Sequence, residues 1–218
     1  LGWRAIRVSL DEPELFKTQL RAILRAAVGH QARIMFPMVS DVDELRHARE
    51  IVETVKRDLE LASVEFAVDV PVGIMVETPA AAVLIDVLAE ASDFFSLGTN
   101  DLTQYTLAVD RGNARVSGLF QPLHPAVLRL IKQTIDTAHA RGKWVGMCGE
   151  LAGMTKAIPI LLGFGLDEFS MNPRAIPEAK HLIGKLTDEK AREIAGQAMS
   201  FGTAAEIENY MKGILVSL

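Results

Sequence analysis

The sequence predicts an α/β fold built on a parallel sheet with helical crossovers, and three observations carry that expectation. Five short apolar runs lack the alternation of a sheet with one wet face, so each reads as a strand covered on both sides. Consecutive runs are separated by segments of helical periodicity, as crossover connections require. The chain has 218 residues, 49% of them hydrophobic, which is enough apolar mass for one sizeable core.

Taken in order, residues 14 to 27 place Phe16, Leu20, Ile23, Leu24 and Ala27 on one helical stripe that closes near Gly29. The run from Arg33 to Met38 is the first strand. Ser40, with Asp43 three residues on, signals a helix start, and Leu45, Ala48, Val52, Val55 and Leu59 continue it at helical spacing. Val72 to Val76 is the second strand. Thr78-Pro79 reads as N-cap and first-turn proline of a helix over Ala80 to Glu90. Phe94 to Leu97 is the third strand, leading through Gly98-Thr-Asn-Asp101 into a short helix. Pro125 opens a helix ending at Gly142, Trp144 to Cys148 is the fourth strand, and a helix follows through Leu162. Glu168 to Met171 is the fifth strand, and three helical segments from Pro177 complete the chain, with no linker or low-complexity tract.

Charge narrows the function. The net charge of −5 is spread along the chain with both signs interspersed, which gives no footprint for nucleic acid or an anionic membrane surface. Any anionic ligand must therefore be held by a local site. A single cysteine, Cys148, rules out an intramolecular disulfide and makes a cysteine-rich zinc site unfavoured, which fits a reducing cytoplasm. No signal peptide and no apolar run long enough to span a bilayer is found.

The polar residues equipped for chemistry fall just after strands: Glu77 after the second, Asn100 and Asp101 after the third, Cys148 at the end of the fourth. In parallel α/β sheets these C-terminal strand ends form the ligand face, so distant residues converge there. Two carboxylates at neighbouring strand ends, Glu77 and Asp101, suit a hard cation such as Mg2+ that keeps other positions for water and substrate oxygens. Spacing alone leaves open the plainer alternative of an exposed Glu77 and an Asp101 that caps a helix. Asn100 and Asp101 begin a helix, whose free N–H groups suit a phosphate. Arg4 and Arg111 are candidates for phosphate or carboxylate binding, against the alternative of arginines on a wet face. Cys148 is either a small buried hydrophobe or a proton donor. None of the five histidines carries the pattern of a nucleophile, and His124, before Pro125, reads as a loop or cap residue.

Three stretches carry a resemblance: Val76-Glu-Thr-Pro-Ala80, the long run from Leu97-Gly-Thr-Asn-Asp101 to Asp110-Arg-Gly-Asn113, and Gly146-Met-Cys-Gly-Glu-Leu-Ala-Gly153. With Gly2-Trp-Arg-Ala-Ile-Arg7 and Arg33-Ile-Met-Phe-Pro-Met38 in the same order, the sequence resembles enzyme I of the bacterial sugar phosphotransferase system over essentially its whole length. The resemblance implies the phosphoenolpyruvate-binding (β/α)8 barrel of a cytoplasmic, Mg2+-dependent phosphotransferase. Glu77 and Asp101 would hold the metal. Asn100, the amides of Asn100 and Asp101, and Arg111 would bind the phosphate, Arg4 would steady the enolate, and Cys148 would protonate it to give pyruvate. The phosphoryl group would pass to a histidine on a separate domain and then to the phosphocarrier protein HPr, and the parent would be a homodimer. Pyruvate phosphate dikinase and phosphoenolpyruvate synthase share much of the pattern, and a non-catalytic metabolite-binding domain is a further alternative.

Five strands fall short of a barrel's eight, and the chain opens on Leu1 within an already patterned segment. The expectation is therefore an incomplete barrel, about its last five strands, inactive by itself, with raw edges at the first and fifth strands.

Overall fold

The computed structural model describes all residues, Leu1–Leu218. In chain order the elements are α1 (Ile6–Asp11), α2 (Pro13–Ala26), β1 (Ile34–Phe36), α3 (Val42–Leu61), β2 (Val72–Val76), α4 (Pro79–Val83), α5 (Ile85–Leu88), β3 (Phe95–Leu97), α6 (Thr99–Leu107), α7 (Pro125–Ala140), β4 (Val145–Met147), α8 (Ile158–Gly163), β5 (Glu168–Phe169), α9 (Ile176–Gly184), α10 (Asp188–Ser200) and α11 (Ala204–Ser217). All five strands are parallel and lie in sequence order. β1 pairs only with β2 and β5 only with β4, so the sheet is open at both ends, as the strand count implies. No helix is long and apolar enough to cross a membrane.

The register sorts the strand residues onto two faces. Ile34, Phe36, Val72, Ile74, Val76, Phe95, Leu97, Val145 and Met147 share one, and all are buried with the apolar stripes of the helices in a single core. Burying each large side chain there contributes about 1.5–3 kcal/mol. The other face is not the second covered side that the apolar runs imply. It carries Met35, Gly73, Met75, Ser96, Gly146 and Glu168, with Met35 and Met75 only partly buried and Glu168 exposed. Methionine and glycine erase the alternation from the sequence without making that face a packed core.

Local chemistry explains the boundaries. α2 starts at Pro13 in the first turn and buries Phe16, Leu20 and Leu24. α3 is capped by Asp41 rather than Ser40: the Asp41 carboxylate accepts the N–H groups of Asp43 and Glu44, and Glu44 reaches back to complete a capping box. Two adjacent residues could start this helix, and the glutamate three places on decides for Asp41. Thr78 caps α4 as expected, but the helix over Ala80 to Glu90 is two short ones, broken at Leu84 with φ −93° and ψ 18°. No Gly or Pro marks that break. α1, with Ile6 as its one buried residue, is too short to show periodicity. His124 caps α7 by accepting the Ala126 N–H at 3.2 Å.

Candidate functional site

The parallel register places the C-terminal ends of β2, β3 and β4 side by side, with Val76 beside Leu97 and Leu97 beside Met147. Glu77, Gly98 and Cys148 are the next residues along each strand. A Cβ on Gly98 would lie 2.8 Å from both the Glu77 Cβ and the Met75 Sδ, so a glycine is what lets the third strand end close on the second.

Glu77 is 4% exposed, which removes the reading of a surface carboxylate. Its Oε1 accepts the Met38 N–H at 2.7 Å, and Met38 presents that N–H from a left-handed backbone conformation, φ +60°. Asp101 is 7% exposed, and its charge bears on Glu77. It does not cap α6: Gly98 occupies that position and no side chain caps the helix. The Asp101 Oδ2 instead accepts from the Arg4 guanidinium at 3.3 Å, across 97 residues of sequence. Since the Arg4 side chain is about half exposed, this pair contributes about 0–1 kcal/mol and leaves the arginine free to face a ligand.

The electrostatic consequence falls on Glu77. Burial pushes its carboxyl up from 4.5 to about 7, the Met38 N–H opposes the rise, Asp101 adds to it and Arg4 lowers it. Two acids held together in an apolar wall compete for one proton, and a divalent cation relieves the same conflict. The donor set therefore fits Mg2+: hard carboxylate oxygens, two rather than a full cage, with open positions for water and substrate. No group of three or more His, Cys, Asp or Glu side chains gathers anywhere in the chain, so this pair would leave most of a cation's shell to water and substrate oxygens.

Cys148 follows on the neighbouring strand end. The residue is exposed overall, yet its Sγ lies 3.8 Å from the Leu97 carbonyl oxygen. Burial of the thiol raises its pKa, the polar Ser96 hydroxyl opposes this, and the charges of Glu77 and Glu168 add to it. Gly149 then permits the close approach of α6: a Cβ there would fall 1.8 Å from the Thr99 Oγ1. Asn100 accepts the Glu150 N–H at 3.3 Å, which ties the start of α6 to the loop after β4.

Two clefts flank this cluster. One, of about 760 Å³, is walled by Arg4, Met38, Ser40, Thr78 and Tyr105, and the other, of about 530 Å³, by Asn100, Cys148, Met154, Ser170 and Met171. The structure thus brings together Arg4, Glu77, Asp101, Asn100 and Cys148. Arg111 is not among them: it is exposed in the loop after α6, held by its backbone N–H to Gln104 at 3.1 Å, with no partner for its guanidinium. Sequence reasoning missed the Met38 N–H, Ser96 and Glu168. Strand parity carries a signal for the last two, and nothing in the sequence signals a left-handed methionine.

A parallel α/β sheet in sequence order, with two buried acids and a thiol beyond its strand ends and Arg4 against one of the acids, defines a βα-type protein with a candidate ligand face. The chain belongs to the family described as PEP-utilising enzyme, PEP-binding domain, which matches residues 1–187. It is 51% identical over 216 residues to the phosphoenolpyruvate-protein phosphotransferase of Haemophilus influenzae, covering 99% of this chain and 38% of that protein. The protein of the same name from Staphylococcus carnosus is 50% identical over 216 residues, with 97% and 38% covered, and that from Geobacillus stearothermophilus 52% over 212 residues, with 97% and 37% covered. The chain thus spans less than two fifths of the length of these relatives. Among solved structures, a citrate lyase from Burkholderia xenovorans superposes with a TM-score of 0.57 at 23% identity over 90% of this chain and 66% of that one, a likeness of fold.

Proposed function

We propose that this chain forms part of the phosphoenolpyruvate site of a Mg2+-dependent phosphotransferase that passes the phosphoryl group to a protein histidine and releases pyruvate. The observation that carries the reading is the buried pair Glu77 and Asp101, drawn together from adjacent strand ends and faced by Arg4. The names of the relatives point the same way. We place the five strands in an eight-stranded barrel, a reading supported by their unbroken sequence order and the unpaired edges of β1 and β5. The histidine would lie on another domain and serve HPr, in a cytoplasmic homodimer.

Glu77 and Asp101 would hold the metal. Bound there, Mg2+ would offset the charge of the phosphate and carboxylate oxygens of phosphoenolpyruvate. Asn100, the first N–H groups of α6 and a swung-in Arg111 would bind the phosphate, while Arg4 would face the bridging oxygen. As the bond from phosphorus to the enol oxygen breaks, its electron pair stays on that oxygen and the phosphoryl group moves to the histidine nitrogen. The Cys148 thiol then gives its proton to the methylene carbon, completing pyruvate. In the intact transferase, Asp101→Asn should lower phosphoryl transfer from labelled phosphoenolpyruvate by about tenfold or more. Transfer at the unaltered rate would overturn the proposal.

A further inference from the structure

Gln104 takes part in no step described so far, yet it ties the end of α6 to the loop that carries Arg111. The helix ends at Ala108, whose backbone is left-handed with φ +53°, and the Gln104 carbonyl oxygen accepts the N–H groups of Ala108 and, at 2.9 Å, of Val109. A left-handed alanine carries a steric cost that glycine would not, so the bend is held by its surroundings. Val109, directly after it, is buried and anchors the chain. Asp110 to Asn113 then close a tight turn: the Asp110 carboxylate accepts the Gly112 N–H at 2.8 Å and its carbonyl oxygen the Asn113 N–H at 3.1 Å. Arg111 lies within that turn, and its own N–H returns to the Gln104 side-chain oxygen at 3.1 Å. One residue thus holds the bend with its main chain and the turn with its side chain. Gln104, Val109 and Asp110 also line the cleft of about 760 Å³ that Arg4 walls.

We infer that Gln104 is a positioning residue for Arg111: its amide oxygen holds the Arg111 backbone at the rim of the Arg4 cleft, so that the arginine side chain turns in from a fixed root to meet the phosphate. The inference rests on the phosphoenolpyruvate reading given above. With the backbone already held, binding has to order only the torsions of one side chain rather than those of a loop, and that lowers the entropy lost on binding. The second guanidinium has a use there. Arg4 already donates to Asp101 at 3.3 Å, so a dianionic phosphate in the same cleft needs a further cation, and Arg111, whose guanidinium has no partner, supplies it. Because the phosphate is gripped both before and during transfer, loss of the latch weakens binding of phosphoenolpyruvate more than it slows the step that follows.

The test is a double-mutant cycle in the intact transferase, read as KM and kcat for phosphoenolpyruvate. Gln104→Met keeps the length of the side chain and removes the acceptor. One hydrogen bond to a backbone N–H corresponds to about a three- to tenfold change in a binding constant, so this variant should raise KM by about that factor and leave kcat within about twofold. In the Arg111→Ala background the same substitution should change KM by less than about twofold, because the group it positions is gone. A structural role would lower both parameters and would persist in that background. An unchanged KM in Gln104→Met, or an equal loss with and without the Arg111 side chain, would overturn the inference. Arg111→Ala by itself separates the two levels. If it leaves KM unaltered, Arg111 does not touch the substrate, and the reading beneath fails together with the inference. If it raises KM while Gln104→Met does not, the inference alone fails.

Discussion

Replacing Glu77 with glutamine tests the strain at the centre of this site. The Gln side chain keeps an acceptor for the Met38 N–H, now 2.7 Å from the carboxylate, and loses only the charge. Burial holds the Glu77 pKa at about 7 in the folded protein against 4.5 without it. Between those values the native state keeps a proton that the unfolded chain has released, so stability falls as pH rises through that window. Each pH unit of separation corresponds to about 1.4 kcal/mol, which sets an upper value of about 3.5 kcal/mol for the loss. Arg4 is about half exposed and offsets little of it. Urea unfolding with a metal chelator, at about pH 5 and about pH 8, should show the wild type losing about 2–3 kcal/mol relative to Glu77→Gln across that interval. Parallel profiles for the two proteins would refute the reasoning, because they would mean that Glu77 ionises alike in both states. Added Mg2+ should flatten the difference at the higher pH by compensating the ionised pair.

Two further substitutions probe how the site is held. Gly98→Ala forces a Cβ to within 2.8 Å of Glu77 and Met75 and should cost about 1–3 kcal/mol in urea unfolding, with a larger proportional loss of divalent-ion binding; wild-type stability would mean that the strand ends have room. Thr78→Ala removes both the acceptor for the Ala81 N–H and the donor to the Val39 carbonyl, each at 3.1 Å, and should cost about 1–2 kcal/mol, with Thr78→Ser recovering most of it.

The parts of the fold written in local chemistry were legible. Thr78-Pro79 announces a helix start, five apolar runs announce five strands, and helical spacing between them announces parallel pairing. Acids placed just after strands announce a ligand face, because parallel sheets align their C-terminal ends. What escaped depends on the third dimension. Asp41 displaces Ser40 as a cap because Glu44 reaches back, a competition that spacing scores evenly. The half-open second face was hidden because Met35, Gly73, Met75 and Gly146 look as apolar as a buried strand. The Arg4 contact to Asp101 joins segments 97 residues apart, and Met38 reaches Glu77 through a backbone turn that its side chain does not encode.

The most direct test is to count divalent ions at the Glu77 and Asp101 pair, using Mn2+ in place of Mg2+ and following free ion by electron paramagnetic resonance. The account expects one strong site per chain, weakened about tenfold or more in both Glu77→Gln and Asp101→Asn. Equal Mn2+ binding by all three proteins would contradict it, because the ion would then be held by groups other than this pair.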